Sequence, residues 1–494
     1  MRKFVLLFLL STALSQAQNA VQVSNYLFQS SLNPQRGGSA PLAAVNPSGN
    51  NSFVTDTVFG QVRTVYEVQG AALPLSAEGG LTYQAKDKVP RDNYSMEFIF
   101  SMSTGSIWRR IYGCVNLKRS EGLYLDPSGF LNYYSGVSSI GNDKLNAGTY
   151  YHVVMVKKPG EVLLYVNGLL VASRSPSDLG VMDASLNPDQ LVQLFLDDDG
   201  EWSPGRIALF RVYAGPLSAT EVKTIYAAPF TSTVGLPNPS FQSSGIVNSA
   251  SYASSNAISP GSFFTIFGND LADDSGDWSQ AFVNNFGPRR LNNVRVLVND
   301  QESFVVFTSS AQVNALAPDN IPEGPVTVVV EYSNLHSTVV PSQATRINPA
   351  VFRYTPQNSR YLASTSNDGT AYIGPANLFD TNGSLNGLAL RPALPGEYIV
   401  LYGTGLGPTS PAVPAGQIPP AHSGGYPVTS SSEIRLTANG QTTTVVPAYT
   451  GLSGFPGLHQ VVFLVPSIAD GEYETVLVVN GLTSPSGTYL PISR

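Results

Sequence analysis

The chain has 494 residues, a net charge of −7 and a charged fraction of only 12%, beside 45 glycines and 36 prolines. That length predicts roughly three domains. The composition suits short strands joined by turns and argues against long surface helices, and the negative charge gives no support for binding a phosphate backbone.

The start reads as a secretion signal. Arg2 and Lys3 precede an apolar run, Phe4 to Leu10, and Ser15-Gln16-Ala17 is a small-x-small cleavage site. Residues 1–17 are therefore expected to be removed, and the protein to be secreted or held at the cell surface. The run is too short to span a bilayer, and no second apolar span follows, so no integral membrane segment is expected in the mature chain. Cys114 stands alone, which excludes an internal disulfide. A secreted chain without such staples must be stable through its cores.

Residues 18–228 form the first expected domain. Its clearest element is "TYYHVVMVKKPGEVLLYVNGLLVASR", 149 to 174. A strand reaches a turn at Lys158-Pro159-Gly160. A second strand ends at Asn167-Gly168, a pair that accepts the positive φ of a type I′ turn. A third returns, giving an antiparallel meander. Near the end, Ile207 to Tyr213 alternates as a half-buried strand. Ser218 and Glu221 form a capping box, so a short helix is expected there, ended by Pro229, with Val222, Ile225 and Tyr226 toward the sheets. "YYHV", "LYVNG", "GRIALFRVY" and "PLSATEV" together resemble the laminin-G-like, or concanavalin A-like, jelly roll. A Tyr stands where that family usually has Trp, at 150 or 151. The resemblance implies a fold and no particular ligand.

A proline-rich linker is expected over 229–243, with Pro229, Pro237 and Pro239. Beyond it the chain repeats itself. "ISPGSFFTIFGNDL" from 258 parallels "LPGEYIVLYGTGL" from 394. "VRVLVNDQ" at 294 parallels "IRLTANGQ" at 434, and "QVNALAPDNIPEG" from Gln312 parallels "QVVFLVPSIADG" from Gln460. Two copies of one β-sandwich follow, 244–348 and 349–494, each about the size of an immunoglobulin-like domain. The glycines of "Phe-Gly-Asn" and "Tyr-Gly-Thr", Gly268 and Gly403, are expected to mark a positive φ or a close strand approach. These phrases, with "NSASY" at 248 and "GLHQVVFLVP" at 457, resemble the Solibacter-type C-terminal region of secreted acidobacterial proteins. Val462 stands where that family usually has Asn. This resemblance implies an appended module without chemistry. The expected fold class is thus all-β: a concanavalin A-like jelly-roll sandwich followed by two Ig-like β-sandwich repeats.

Few residues suggest chemistry. "LFLDDDGEW" gathers Asp197, Asp198, Asp199 and Glu201, oxygen ligands close enough to consider Ca²⁺. It lacks the D-x-D-x-D-G spacing of a calcium loop, and a solvated rim loop is the plainer reading. Glycoside hydrolysis needs two carboxylates about 5–10 Å apart across a groove. The strands offer isolated acids such as Glu97 and Glu161 and no E-x-D-x-x-E pattern. His152, His336, His422 and His459 form no H-x-x-x-H pair, and His152 reads as a packed strand residue. "YGTGLGP" follows no βαβ unit and is no nucleotide loop. Trp108, Tyr133, Tyr134 and Trp202 stand in or near expected loops, where rings can stack on sugars. The leading expectation is a non-enzymatic secreted protein that binds carbohydrate or a cell-surface protein, with the repeats as spacer or association module. The alternatives are a purely structural or adhesive surface protein and, more distantly, a glycoside hydrolase.

Overall fold

A computed structural model describes residues 20–494 except 36–38, 104–106, 115, 135–137, 175–186, 254–256, 355–358, 380–383 and 386–387. The expected signal segment, 1–17, lies outside the described residues. The chain divides into two compact units, Met1–Leu236 and Pro237–Arg494.

The first unit is a sandwich of an eight-stranded and a seven-stranded sheet. The expected meander is present: Tyr151–Lys158, Glu161–Val166 and Leu169–Arg174 pair in sequence. Asn167 and Gly168 both have positive φ, 47° and 79°, as the turn requires. Alternation along the strands sends one set of side chains inward. Met96, Phe98 and Phe100 of Tyr94–Met102 meet Leu123, Leu131 and Tyr133 of the opposing sheet in one core.

Tyr94–Met102 is buried along both faces. Its outer face is covered by the helix Ala219–Ala227 and the segment after it, through Val222, Ile225, Phe230 and Val234. The capping box at Ser218 and Glu221 forms as expected. Tyr226 also turns toward the sheet, its ring 5.5 Å from that of His152, and stays 38% exposed. Under this cover Glu97 accepts from Tyr213 Oη at 2.7 Å, contacts His152 Nε2 at 3.0 Å and pairs with Arg211 at 3.3 Å. Burial pushes Glu97's carboxyl up, but Arg211 and then His152 outweigh it and hold it below the usual value.

The linker expected over 229–243 is shorter than its prolines suggest. Phe230 is buried on the first unit and Ser240 already begins the strand Ser240–Asn248. Proline content marks extended backbone, and extended backbone can equally pair or pack.

The second unit holds two sandwiches with the same strand pairings. Phe263–Asn269 pairs with Gln312–Leu316, and Tyr398–Thr404 with His459–Leu464. Phe267 stands opposite Gln312, and Tyr402 opposite Gln460. Val294–Val298 pairs with Gly324–Tyr332, and Ser432–Ala438 with Gly471–Val479. The doubled phrases therefore occupy equivalent places in two cores. The sandwiches are tied together. Phe263 N–H donates to Thr404 Oγ1 at 2.9 Å. An arm around Pro408–Pro420 crosses to the first sandwich, where Ala415 N–H donates to Asp319 Oδ2 at 2.7 Å and Gly287 N–H to Gly416 O at 2.9 Å.

Gly268 and Gly403 are held by close approach and not by a positive φ. A Cβ at Gly403 would lie 2.7 Å from Ala350 O, and one at Gly268 would strike Ser240 O. Gly268→Val should cost about 1–3 kcal/mol, the scale of a forced backbone shift. Because the sandwiches share hydrogen bonds, one calorimetric transition covering both should fall, while that of the first unit stays in place. Two separate transitions within 237–494, with only one lowered, would show that the sandwiches unfold independently.

Candidate functional site

The site lies on the face of the seven-stranded sheet turned away from the core. Strand Arg109–Gly113 carries a bulge between Arg110 and Tyr112, so consecutive Ile111 and Tyr112 both enter the core while Arg110 points outward. Arg110 pairs across with Tyr124, and Tyr124 with Asn132. The segment Asn116–Glu121 lies over this row. Its Asn116 Oδ1 accepts from Gln193 Nε2 at 2.9 Å, Arg119 O from Arg110 Nη2 at 2.9 Å, and Ser120 O from Tyr124 Oη at 2.9 Å. A polar strand face is thereby buried under a loop that meets part of its hydrogen bonding, with Arg110 Nε and Gln193 Oε1 left unpaired.

Arg110 also organises the acidic loop. Its Nη1 is 3.2 Å from Asp197 Oδ1 and 2.8 Å from Asp198 Oδ1. Its backbone N–H donates to Glu201 O at 2.8 Å. Asp197 Oδ2 accepts from the N–H groups of Asp199, at 2.7 Å, and Glu201, at 2.9 Å. Asp197 N–H in turn donates to Glu78 Oε2 at 2.7 Å. Burial lowers Arg110, but Tyr124, Asp197 and Asp198 hold its guanidinium above the ordinary value. Burial, with Asp197 and Asp198 beside it, pushes Glu78 up to about 7. Burial and then Asp197 do the same for Glu201, also to about 7.

The sequence residues sort into three groups. Asp197 is buried and both of its oxygens are engaged, so it is neither a solvated loop residue nor a free metal ligand. Among the described residues no three His, Cys, Asp or Glu side chains converge as a metal site. The donor set does not fit calcium, because a guanidinium already stands between Asp197 and Asp198. Tyr133 and Trp202 are core residues, correcting their expected place in a loop. Tyr133 is 0% exposed because strand alternation turns it inward. Trp202 donates its indole N–H to Gly79 O at 2.8 Å. Trp108 and Tyr134 are half-buried and flank one ring: Trp108 meets Tyr124 edge-on at 6.1 Å, and Tyr134 meets it edge-on at 6.5 Å.

Sequence reasoning missed Arg110, Tyr124 and Glu78. A signal existed for Arg110. Consecutive carboxylates in an apolar stretch such as "LFLDDDGEW" need a cation, and "WRRIYG" supplies one in a strand.

Residues 72–223 match the family model of the concanavalin A-like lectin/glucanases superfamily. This stretch is a concanavalin A-like domain. No curated protein matches the chain. Similar solved structures include domain 4 of AbnA, a GH43 extracellular arabinanase from Geobacillus stearothermophilus, in complex with arabinotriose. It is 17% identical, covers 42% of this chain and 98% of that one, and has a TM-score of 0.33. The binding domain of botulinum neurotoxin DC, in complex with rat synaptotagmin II, is 10% identical, covers 91% and 95%, and scores 0.33. The Trypanosoma rangeli sialidase in complex with the inhibitor DANA is 15% identical, covers 42% and 32%, and scores 0.28. At these scores the likenesses carry no argument.

Two predictions test the concanavalin A-like domain. Arg110→Met leaves Asp197 buried without its cation and should cost about 3–5 kcal/mol, the scale for one broken partner of a buried pair. Its melting temperature decides that. The second concerns acid. Glu78 and Glu201 have folded values near 7, above the ordinary 4.5. The unfolded chain binds fewer protons between those values, so their contribution is fully present below about pH 4.5 and fades as pH rises through 7. The domain should gain stability from pH 8 to pH 5, and Glu78→Gln with Glu201→Gln should flatten that slope. An unchanged slope would mean neither carboxyl is shifted.

Proposed function

We propose that the concanavalin A-like domain binds carbohydrate through the rim where Trp108 and Tyr134 flank Tyr124 beside the acidic loop, without hydrolysing it. The observation that carries this reading is the pair of half-exposed rings held edge-on to one buried ring. A pyranose offers apolar C–H faces, and rigid rings lose little entropy on contact. Asp199 is exposed and Glu201 half-buried, which puts hydrogen-bond acceptors beside the rings. Glu78 supports a structural role over a catalytic one, since it is 2% exposed and its Oε2 accepts from Asp197 N–H. The secretion signal and the resemblance of the second unit to a Solibacter-type region support an extracellular protein in which that unit is spacer or association module.

A glycan array probed with the full chain tests the reading. Trp108→Ala should weaken retention roughly tenfold, as loss of an aromatic anchor does, without release of reducing ends by either protein. Equal retention by the wild type, Trp108→Ala and Tyr134→Ala would remove the rim from consideration. Reducing-end release would make the protein a hydrolase.

A further inference from the structure

A cleft of about 690 Å³ opens between the two sandwiches of the second unit. The phrases that recur in the sequence meet there. The first sandwich contributes the Pro260-Gly261 turn and the loop from Asp319 to Glu323, and the second contributes Gly407-Pro408 and the Gly457–His459 turn. Gly457 has φ +68° and passes directly against Leu316 of the first sandwich, where a side chain would collide.

His459 lies at the bottom. It is 4% exposed, and neither ring nitrogen has a hydrogen bond of good geometry, although the backbone of Gly407 and Gly457 lies near. Burial drives its pKa down to about 4, against the opposing pull of those backbone groups, so the ring is neutral at pH 7. A buried polar group without a partner costs free energy, commonly recovered when a ligand or water supplies the bond. Toward the mouth stand Glu323, Arg346 and Gln417, which make no side-chain hydrogen bond or ion pair among those found for the described residues. Pro260, Pro408 and Leu452 supply apolar wall.

We propose that this cleft is a second binding site, for a neutral polyhydroxylated ligand, a short oligosaccharide. A neutral imidazole donates through one nitrogen and accepts through the other, which suits a hydroxyl. The planar ends of Glu323, Arg346 and Gln417 can each engage two neighbouring hydroxyls. Glu323 and Arg346 offset each other in charge, and the third charged group of the lining, Asp319, is engaged by Ala415 N–H, so the cleft carries no strong net charge toward a ligand. Proline and leucine fit the C–H faces of sugar rings. The volume falls in the usual range for ligand sites, about 300–1,000 Å³.

The test uses the full chain carrying Trp108→Ala and Tyr134→Ala, which removes the rim proposed above. Saturation-transfer NMR is recorded with cellotetraose, xylotetraose, mannotetraose and maltotetraose at pH 7. At least one should still receive saturation. Adding Glu323→Ala and Arg346→Ala, at exposed positions, should weaken its Kd at least tenfold with the melting temperature unchanged. His459→Phe should abolish binding, and the His459 imidazole signals should shift on titration of the parent chain. If no tetrasaccharide binds the rim-deleted chain, or if the cleft substitutions leave binding unaltered, the proposal is overturned. Loss of all binding with the rim alone would leave the first reading standing and remove this one.

Discussion

Arg110 imposes the main constraint on the first unit. Taking a guanidinium and a carboxylate out of water costs several kcal/mol each, and attraction recovers that only where hydrogen bonds saturate both groups. The protein meets this condition for Asp197 from several directions, while Arg110 leaves its Nε without a partner. Asp197 is held by two N–H groups of its own loop, by Arg110 and near Tyr124. Arg110 also fixes the loop through its own backbone, bonded to Glu201 O. Side chain and main chain of one residue therefore clamp the acidic loop to the sheet edge. Trp108 lies two residues away on the same strand entry, so the proposed sugar platform inherits its position from this pair.

The second unit relies on a different device. With Cys114 the chain's one cysteine, buried, and its thiol pushed up by burial to about 11, cysteine chemistry offers neither a crosslink nor a reactive group. Two sandwiches of modest core size instead share surface. The Pro408–Pro420 arm spends its backbone hydrogen bonds on the neighbouring sandwich, so part of what each repeat would leave to water is paired internally. The cleft follows from that joining, because two convex sandwiches bridged by an arm leave a gap beside the bridge.

The all-β class, the meander with its Asn-Gly turn, the capping box and the doubled landmarks were legible because each depends on local chemistry: turn φ, period-two alternation, or a three-residue cap. The duplication was legible to the level of strand pairing, since Gln312 and Gln460 face equivalent aromatics. The site was not. Which face of Phe130–Tyr134 looks inward is set by the opposing sheet, so Tyr133 and Tyr134 could not be told apart by composition. Whether Asp197 meets a metal, water or Arg110 depends on a residue more than eighty positions earlier, brought near only by the sheet order. Spacing rules register neighbours in sequence, and this cluster draws on Glu78, Arg110, Tyr124 and the 197–201 loop.

Arg110 in the first unit and His459 in the second answer the cost of burying a titratable group in opposite ways. In the first, Glu97, Arg211 and Arg110 keep their charge by pairing, which fixes their geometry. Groups so committed position others and offer a ligand little, which is why the proposed rim site relies on the half-exposed rings and the outer carboxylates. In the second, His459 surrenders its charge and finds no good partner. A neutral group with unmet hydrogen bonds costs the fold something in the empty state and returns it when a hydroxyl arrives. Paired charge builds a scaffold, and unmet polarity marks the proposed cleft.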